Sequence, residues 1–317
     1  MSLLRNFHFG VSLIISVAAA QAATHKELGD VDWLRNYDQA IEQSKESGKP
    51  ILILFQEVPG CQGCVKYGQE TLTHPLIVDA IENDFVPLAI RNNVSSGHDR
   101  EILKRFKEPA WNYQVMRFID VDGKDIIPRR DRIWTPHATA ARMVQALESA
   151  KRPVPEYLKT VALSAQEASM LKTAVFSMYC FWDGEAKLGS IDGVAETEAG
   201  WLDGREVVRV RYNPEEVEWS KLVRSAQSHG CAKRVYAPDI EALAATPKEL
   251  TSVARLYDVN AYRSARASDQ KRHLQFSKVR NLPLNPVQRT KINAALASKD
   301  IDMISKWLSP SQRKQLM

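Results

Sequence analysis

The first half of the chain alternates short apolar runs with segments of helical periodicity. Three apolar runs are typical of buried strands: 51–55, 85–90 and 115–119. Five segments have the spacing of amphipathic helices: 33–47, which Gly48 ends, a segment after residue 64, 75–83, 100–106 and 136–150. Strands and helices that alternate in this way predict an α/β sheet with helices on both faces.

A second unit follows the segment Lys151-Arg152-Pro153-Val154-Pro155, which breaks the helical pattern and is typical of a linker. A short polar helix over 164–170 is expected to bridge to this unit. From residue 174 the order is strand, helix, two strands and helix, and Val alternates with Arg in 206–212. This order predicts an α+β, ferredoxin-like, two-layer sandwich with helices on one face of the sheet.

The segment 237–317 has the pattern of helices joined by polar connectors, with cap-and-proline starts at Asn285-Pro286 and Ser309-Pro310. Residues 246–317 hold 14 Lys and Arg against 5 Asp and Glu, although the net charge of the whole chain is only +5. We therefore predict a basic helical extension that packs on the acidic remainder. A weak contact with lipid headgroups is the alternative.

The N-terminus has the layout of a secretory signal peptide over 1–22. Arg5 opens a basic region, 11–20 is uncharged and mostly apolar, and Ala20-Gln21-Ala22 is a cleavage pattern. The alternative is an uncleaved anchor. A length of 317 residues with 44% apolar residues allows about two domains after the leader. We expect a periplasmic or secreted protein, for which nucleic acid is not a partner.

Four cysteines are too few for a disulfide scaffold, but two form the motif Cys61-Gln62-Gly63-Cys64 at a strand-to-helix junction. The helix N-terminus stabilises a thiolate on the first cysteine, and the second lies close enough to form a disulfide. A structural disulfide, half of a zinc site and unpaired core thiols are the alternatives. Zinc needs four ligands and the chain has no second such motif, so no metal is expected.

The apolar run after Pro50, this motif and the strands at 85–90 and 115–119 resemble the thioredoxin-like superfamily. The resemblance implies a thioredoxin-like domain over 24–158, with Cys61 as nucleophile and Cys64 as resolving thiol. Gln114 stands where that family has a cis-proline, which departs from its substrate clamp.

Cys180 also lies where a predicted strand leads into a helix, and the adjacent Phe181 and Trp182 offer an apolar wall. From the residues alone, an inert core cysteine is the alternative. A surface position on a strand is the corresponding alternative for Glu206.

Several motifs in order resemble a shortened, divergent A-type peptide methionine sulfoxide reductase over 159–236. They are Cys180-Phe181-Trp182, Gly193-Val194, Thr197, Ala199-Gly200-Trp201, Glu206-Val207-Val208 and Tyr212-Asn213-Pro214. The resemblance implies that Cys180 attacks the sulfoxide sulfur, that Phe181, Trp182 and Trp201 bind the substrate, and that Glu206 protonates the departing oxygen. Tyr179 and Asp183 replace the two glycines that flank the family motif.

Cys231 is the remaining thiol and a candidate to resolve the sulfenic acid that attack would leave on Cys180. A static Cys180–Cys231 disulfide is the alternative. If Cys231 attacks the Cys180 sulfenic acid, a Cys180–Cys231 disulfide forms, and the first domain would reduce this disulfide through Cys61.

The sequence thus predicts an exported thiol oxidoreductase that reduces methionine sulfoxide in proteins. Its partners are the oxidised substrate and a thiol–disulfide electron donor, and its redox-active cysteines need no cofactor. The alternatives are a disulfide reductase or isomerase with a degenerate second domain, and a non-enzymatic redox-sensing or metal-handling thiol protein.

Overall fold

A computed structural model describes residues 25–164 and 170–317. The predicted signal peptide and residues 165–169 of the predicted bridging helix lie outside the described residues. Within the described ranges, no helix has the length and apolar character needed to cross a membrane.

The first domain is a four-stranded sheet with helices on both faces, as predicted. Its strands are β1 (Ile51–Gln56), β2 (Val86–Arg91), β3 (Val115–Ile119) and β4 (Arg130–Asp131). Its helices are α1 (Tyr37–Ser47), α2 (Gln62–Glu70), α3 (Pro75–Asp84), α4 (His98–Arg105), α5 (Pro136–Ser149) and α6 (Glu156–Ser164). The strand order is β2-β1-β3-β4, with β1 parallel to β2 and antiparallel to β3. All six residues of β1 are buried, so the predicted central strand is confirmed.

Helix α1 begins four residues later than the pattern predicts. Leu34 instead forms a bridge beside β2, because its N–H donates to the Pro87 carbonyl and its carbonyl accepts from the Ala89 N–H. The Asn36 side chain then caps the helix. Leu34, which has helical spacing in the sequence, therefore pairs with a strand instead of joining the helix.

The second domain is built on a six-stranded sheet of order β10-β6-β7-β5-β8-β9. Its strands are β5 (Lys172–Ser177), β6 (Val194–Leu202), β7 (Arg205–Tyr212), β8 (Arg234–Ala237), β9 (Ala254–Leu256) and β10 (Arg263–Ser264). Its first two helices are α7 (Phe181–Gly189) and α8 (Trp219–Ser228). From β5 to β8 the elements follow the β–α–β–β–α–β order of a two-layer split β–α–β sandwich, with β5 and β7 central.

Strand β7 has the two-faced character that its alternation predicts. Val208 and Val210 are buried in the core that α7 and α8 cover. On the opposite face Arg209 and Arg211 pair with Glu198 and Glu196 of β6.

The segment 237–317 differs from the predicted helical extension because it also supplies both edge strands of the second sheet, β9 and β10. Its helices are α9 (Ile240–Ala244), α10 (Arg272–Gln275), α11 (Pro286–Ser298), α12 (Ile301–Trp307) and α13 (Pro310–Lys314). Capping boxes at Asn285 and Ser309 start α11 and α13 at the predicted prolines. The strands of this segment are too short to give a periodic signal in the sequence.

This C-terminal segment also contacts the first domain. The Asn285 amide donates to the Thr160 hydroxyl of α6 at 2.9 Å, and the Ser311 hydroxyl donates to Asp79 of α3 at 2.6 Å. The segment therefore joins the two domains as well as completing the second one.

Part of the basic charge of this segment lies inside the protein. Lys271 forms an ion pair at 2.6 Å with Glu185 of α7, whose side chain has no exposed surface. Lys291 of α11 donates to the Gly189 and Ile191 carbonyls, and its burial lowers its pKa to about 8. These two lysines are consequently not part of a basic outer surface.

Replacing the buried lysine is expected to destabilise the second domain strongly. Lys271→Met leaves Glu185 without its counter-charge, so the free energy of unfolding should fall by about 3–5 kcal/mol in urea titrations. Lys278→Met, at an exposed position of the same segment, should change it by less than about 0.5 kcal/mol. The double variant Glu185→Gln/Lys271→Met should recover part of the loss. Equal effects of Lys271→Met and Lys278→Met would refute a stabilising pair.

Candidate active sites

The two thiols of the first domain form an asymmetric pair. Cys61 is the N-cap of α2 and is exposed, whereas Cys64 lies one turn into the helix and is buried. Their sulfur atoms are 3.5 Å apart, and both are free thiols. Burial, followed by the hydrogen bond with Cys61, raises the pKa of Cys64 to about 12. The exposed Cys61 at a helix N-terminus is therefore the thiol that can attack a partner.

Three side chains that the sequence analysis missed shape this site. Glu57 accepts a hydrogen bond from the Cys61 N–H at 3.3 Å, and Glu27 accepts one from the Gly60 N–H at 2.7 Å. The indole of Trp134 packs over Gly63: a Cβ atom placed on Gly63 would lie 3.7 Å from the ring. Glu57 lies two residues after the predicted strand and four before Cys61, so the sequence could have indicated it. Glu27 and Trp134 are distant in the chain, and only tertiary folding brings them to the site.

Glu57 also completes a group of three metal-ligand types. One of its carboxylate oxygens and the two sulfur atoms of Cys61 and Cys64 all lie within 4.8 Å of one another. Three ligands of this kind fit an open site for a thiophilic ion, with a fourth position left for another ligand.

The loop around Gln114 lacks the family's proline, as noted from the sequence. In the described ranges the cis peptide bond is Val58–Pro59, in the loop that leads to Cys61. The buried Gln114 side chain accepts a hydrogen bond from the Ile133 N–H at 3.0 Å and so ties the start of β3 to the chain after β4.

Alkylation is expected to separate the two thiols of the motif. Only a thiolate reacts, and at pH 8 a thiol with a pKa of about 12 is ionised to about one part in 10⁴. Iodoacetamide should therefore modify Cys61 at least about 10²-fold faster than Cys64, measured by peptide mass spectrometry. Because the pKa of Cys64 is raised, its rate should increase as pH rises from 8 to 10. In urea the two rates should converge; equal rates in the folded protein would refute the asymmetry.

In the second domain, the structure brings Cys180 and Glu206 to the same helix end. Cys180 is the half-buried N-cap of α7, and its own side chain makes no capping hydrogen bond. Instead, a carboxylate oxygen of Glu206 on β7 accepts the Phe181 N–H at 2.7 Å. The carboxylate thus lies next to the thiol-bearing residue and caps the helix from a neighbouring strand.

The three predicted aromatic residues adjoin one another, and two of them, Phe181 and Trp201, lie next to this carboxylate. Trp201 of β6 is directly opposite Glu206 in the β6–β7 register, so their side chains lie on the same face of the sheet. The Phe181 ring contacts Trp201 edge-on with centroids 5.6 Å apart, and contacts Trp182 at 6.0 Å. Trp201 is 43% exposed and open to a ligand, whereas Phe181 is 5% exposed and packs in the core.

Cys231 is buried in the core beneath these elements. Its thiol donates weakly to the His229 carbonyl at 3.6 Å, and burial raises its pKa to about 11. The Lys187–Asp183 pair of α7 also acts electrostatically on this thiol, so Cys231 lies near that helix. Cys180 and Cys231 are free thiols in the structure. The resolving role of Cys231 stays a prediction.

The family comparison supports the thioredoxin-like prediction for the first domain. A family model described as thioredoxin-like matches residues 32–115. The thioredoxin-related protein DsbJ of Chlamydia pneumoniae is 27% identical over 23% of this chain and 21% of its own length. The solved structure of a DsbH oxidoreductase matches 42% of this chain and 92% of its own at 19% identity, with a TM-score of 0.32.

Another curated relative belongs to a different class of enzyme. The peptide methionine sulfoxide reductase MsrA of Methanococcus maripaludis is 35% identical over 16% of this chain and 44% of its own length. The chain thus spans less than half of either curated relative. The first domain is a thioredoxin-like fold that carries a thiol pair of the oxidoreductase type.

Proposed function

We propose that the chain is an exported thiol oxidoreductase that reduces methionine sulfoxide in proteins at Cys180. The observation that carries the proposal is the hydrogen bond at 2.7 Å from the Phe181 N–H to Glu206, which sets a carboxyl group beside Cys180 and the exposed ring of Trp201. A nucleophile, an acid and an apolar surface for a methyl group are the parts that sulfoxide reduction requires.

The first step proposed is attack of the Cys180 thiolate on the sulfoxide sulfur, while Glu206 gives a proton to the oxygen. The attack forms a bond between the two sulfur atoms, and the protonated oxygen then passes as a hydroxyl group to the Cys180 sulfur as the S–O bond and the new S–S bond break. The products are the thioether and Cys180 sulfenic acid, so the substrate sulfur gains the two electrons that Cys180 loses. The Cys231 thiol then displaces the hydroxyl group as water, and a Cys180–Cys231 disulfide forms.

The thioredoxin-like domain is proposed to regenerate the second. Cys61 attacks the Cys180–Cys231 disulfide, and Cys64 releases the mixed disulfide, which restores both thiols of the second domain and leaves Cys61–Cys64 oxidised. An external thiol–disulfide donor then reduces this bond. Cys64 is buried and Cys61 is exposed, so Cys61 is the thiol that can reach the Cys180–Cys231 disulfide. This favours attack by Cys61 before release by Cys64.

The decisive experiment incubates the reduced full-length protein with a methionine sulfoxide peptide and dithiothreitol, and measures the thioether product. In parallel, mass spectrometry maps the disulfides after one turnover without reductant. The proposal predicts the thioether together with Cys180–Cys231 or Cys61–Cys64 bonds that form only with the sulfoxide. A protein that forms no thioether while its Cys61–Cys64 pair still reduces insulin disulfides would be a disulfide reductase or isomerase with a degenerate second domain.

A second candidate function, thiol-based metal handling, is favoured by the group Glu57, Cys61 and Cys64. Zinc binding to the reduced protein would release protons from the two thiols. Stoichiometric zinc that is lost in Glu57→Gln, without sulfoxide or disulfide reduction by the metal-free protein, would select this function. Glu70→Gln, at an exposed carboxylate of α2, is the matched control.

A further inference from the structure

Three cationic side chains lie around the surface formed by Cys180 and the neighbouring aromatic residues, which we call the opening. Each comes from a different part of the chain. The Arg272 guanidinium of α10 lies over the Trp182 ring at 4.4 Å and over the Phe276 ring at 4.3 Å. The Lys233 ammonium lies 5.3 Å from the ring centroid of Tyr179, the residue before Cys180. Arg263 of β10 is directly opposite Trp201 in the strand register, so the two side chains share a face. We call Lys233, Arg263 and Arg272 the basic rim.

Within the described residues the basic rim forms no salt bridge, which is also true of other exposed cations of the domain such as Lys221, Lys248 and Lys299. By contrast, Arg209, Arg211 and Lys271 each pair with a carboxylate. The acidic groups close to the opening are already engaged. Asp183 pairs with Lys187 at 2.7 Å, and Glu206 accepts the Phe181 N–H.

The rings beneath these cations are unusually open. Tyr179 is 86% exposed and Phe276 is 73% exposed. A cation held over an aromatic face loses less side-chain entropy on binding an anion than a free one does, because its position is already restricted. Exposed rings between unpaired cations therefore form a surface for a chain that carries both apolar groups and carboxylates.

We propose that the basic rim selects methionine sulfoxide in acidic sequence, with Asp or Glu within about two residues of the oxidised side chain. This inference rests on the proposed function, since it names the substrate class of the same site. The exposed ring of Trp201 takes the methyl group. Flanking carboxylates pair with Arg272, Arg263 and Lys233. Because these cations are exposed or half-buried, the preference should weaken as salt screens them.

The experiment compares three peptides of equal length in which methionine sulfoxide is flanked by Asp, Gly or Lys, with dithiothreitol as reductant. At low ionic strength the acidic peptide should exceed the basic one in kcat/KM by about tenfold or more, and 0.5 M salt should remove most of this ratio. In the triple variant Lys233→Gln/Arg263→Gln/Arg272→Gln the ratio should fall to within about twofold. The matched control changes three exposed lysines of other elements by the same total charge: Lys221→Gln, Lys248→Gln and Lys299→Gln.

The outcomes separate the inference from the proposed function. Turnover of all three peptides at equal rates would overturn the acidic preference and leave sulfoxide reduction standing. An equal loss of the ratio in the control triple variant would assign the preference to net charge and overturn the role of the rim. Absence of turnover with every peptide would overturn the reductase and this inference together.

Discussion

Cys180→Ser protein is expected to reduce no methionine sulfoxide, whether dithiothreitol or a protein dithiol supplies the electrons. The change removes the only thiol at the helix end that Glu206 caps, so the loss should be at least about 10³-fold in kcat/KM. Cys61→Ser should behave differently. It should keep turnover with dithiothreitol, which reduces the second domain directly, and lose turnover with a protein dithiol.

Two further variants test the order of the relay. Cys231→Ser should accumulate Cys180 sulfenic acid, which dimedone labels after one turnover. Cys64→Ser should trap a mixed disulfide between Cys61 and a cysteine of the second domain, seen as a cross-linked peptide. Cys61→Ser protein that keeps full activity with a protein donor would show that the first domain takes no part in regeneration.

Glu206→Gln is expected to lower kcat for sulfoxide reduction by about 10²–10⁴-fold while leaving the fold intact. The amide oxygen of Gln can still accept the Phe181 N–H, so the cap on α7 is kept, but an amide cannot donate the proton that the departing oxygen needs. Glu206→Ala removes both contributions and should also lower the melting temperature. The comparison of kcat with thermal unfolding therefore separates acid catalysis from helix capping.

Glu198→Gln is the matched control for this prediction, because Glu198 lies in the same sheet but pairs with Arg209 on the opposite face. It should leave kcat within about twofold, since the loss of a half-exposed ion pair costs little. Full activity of Glu206→Gln would contradict the catalytic role and leave Glu206 as a structural cap of α7.

The sequence correctly predicts the strands and helices whose signal lies in residues that are neighbours in the chain. The apolar run of β1, the alternation in β7 and the capping boxes at Asn285 and Ser309 each depend on neighbours in the chain, and each is present in the structure. The predicted start of α1 is wrong because Leu34 pairs with β2, and local periodicity does not indicate such a contact.

The same distinction applies to the sites. Motif spacing at a strand–helix junction singles out Cys61 and Cys64, whereas Cys180 and Glu206 are singled out by the resemblance to a known family. Arg272 reaches the site from a segment about 90 residues further along the chain than Cys180. Nothing near it in the sequence indicates a binding role, because it lies in a short helix that only tertiary packing brings to Trp182.

Strand β10 and helix α10 come about 100 residues after the first domain, and this order has a consequence for biosynthesis. Domains fold as units while the chain is made, and the thioredoxin-like domain is complete by residue 164. The surface around Cys180 gains the contact between Arg272 and Trp182 only after Arg272 has been added. During synthesis the exposed thiol of Cys61 therefore exists in a folded domain before the chain can form the surface around Cys180, and a chain truncated before residue 263 would leave β6 as an unprotected sheet edge.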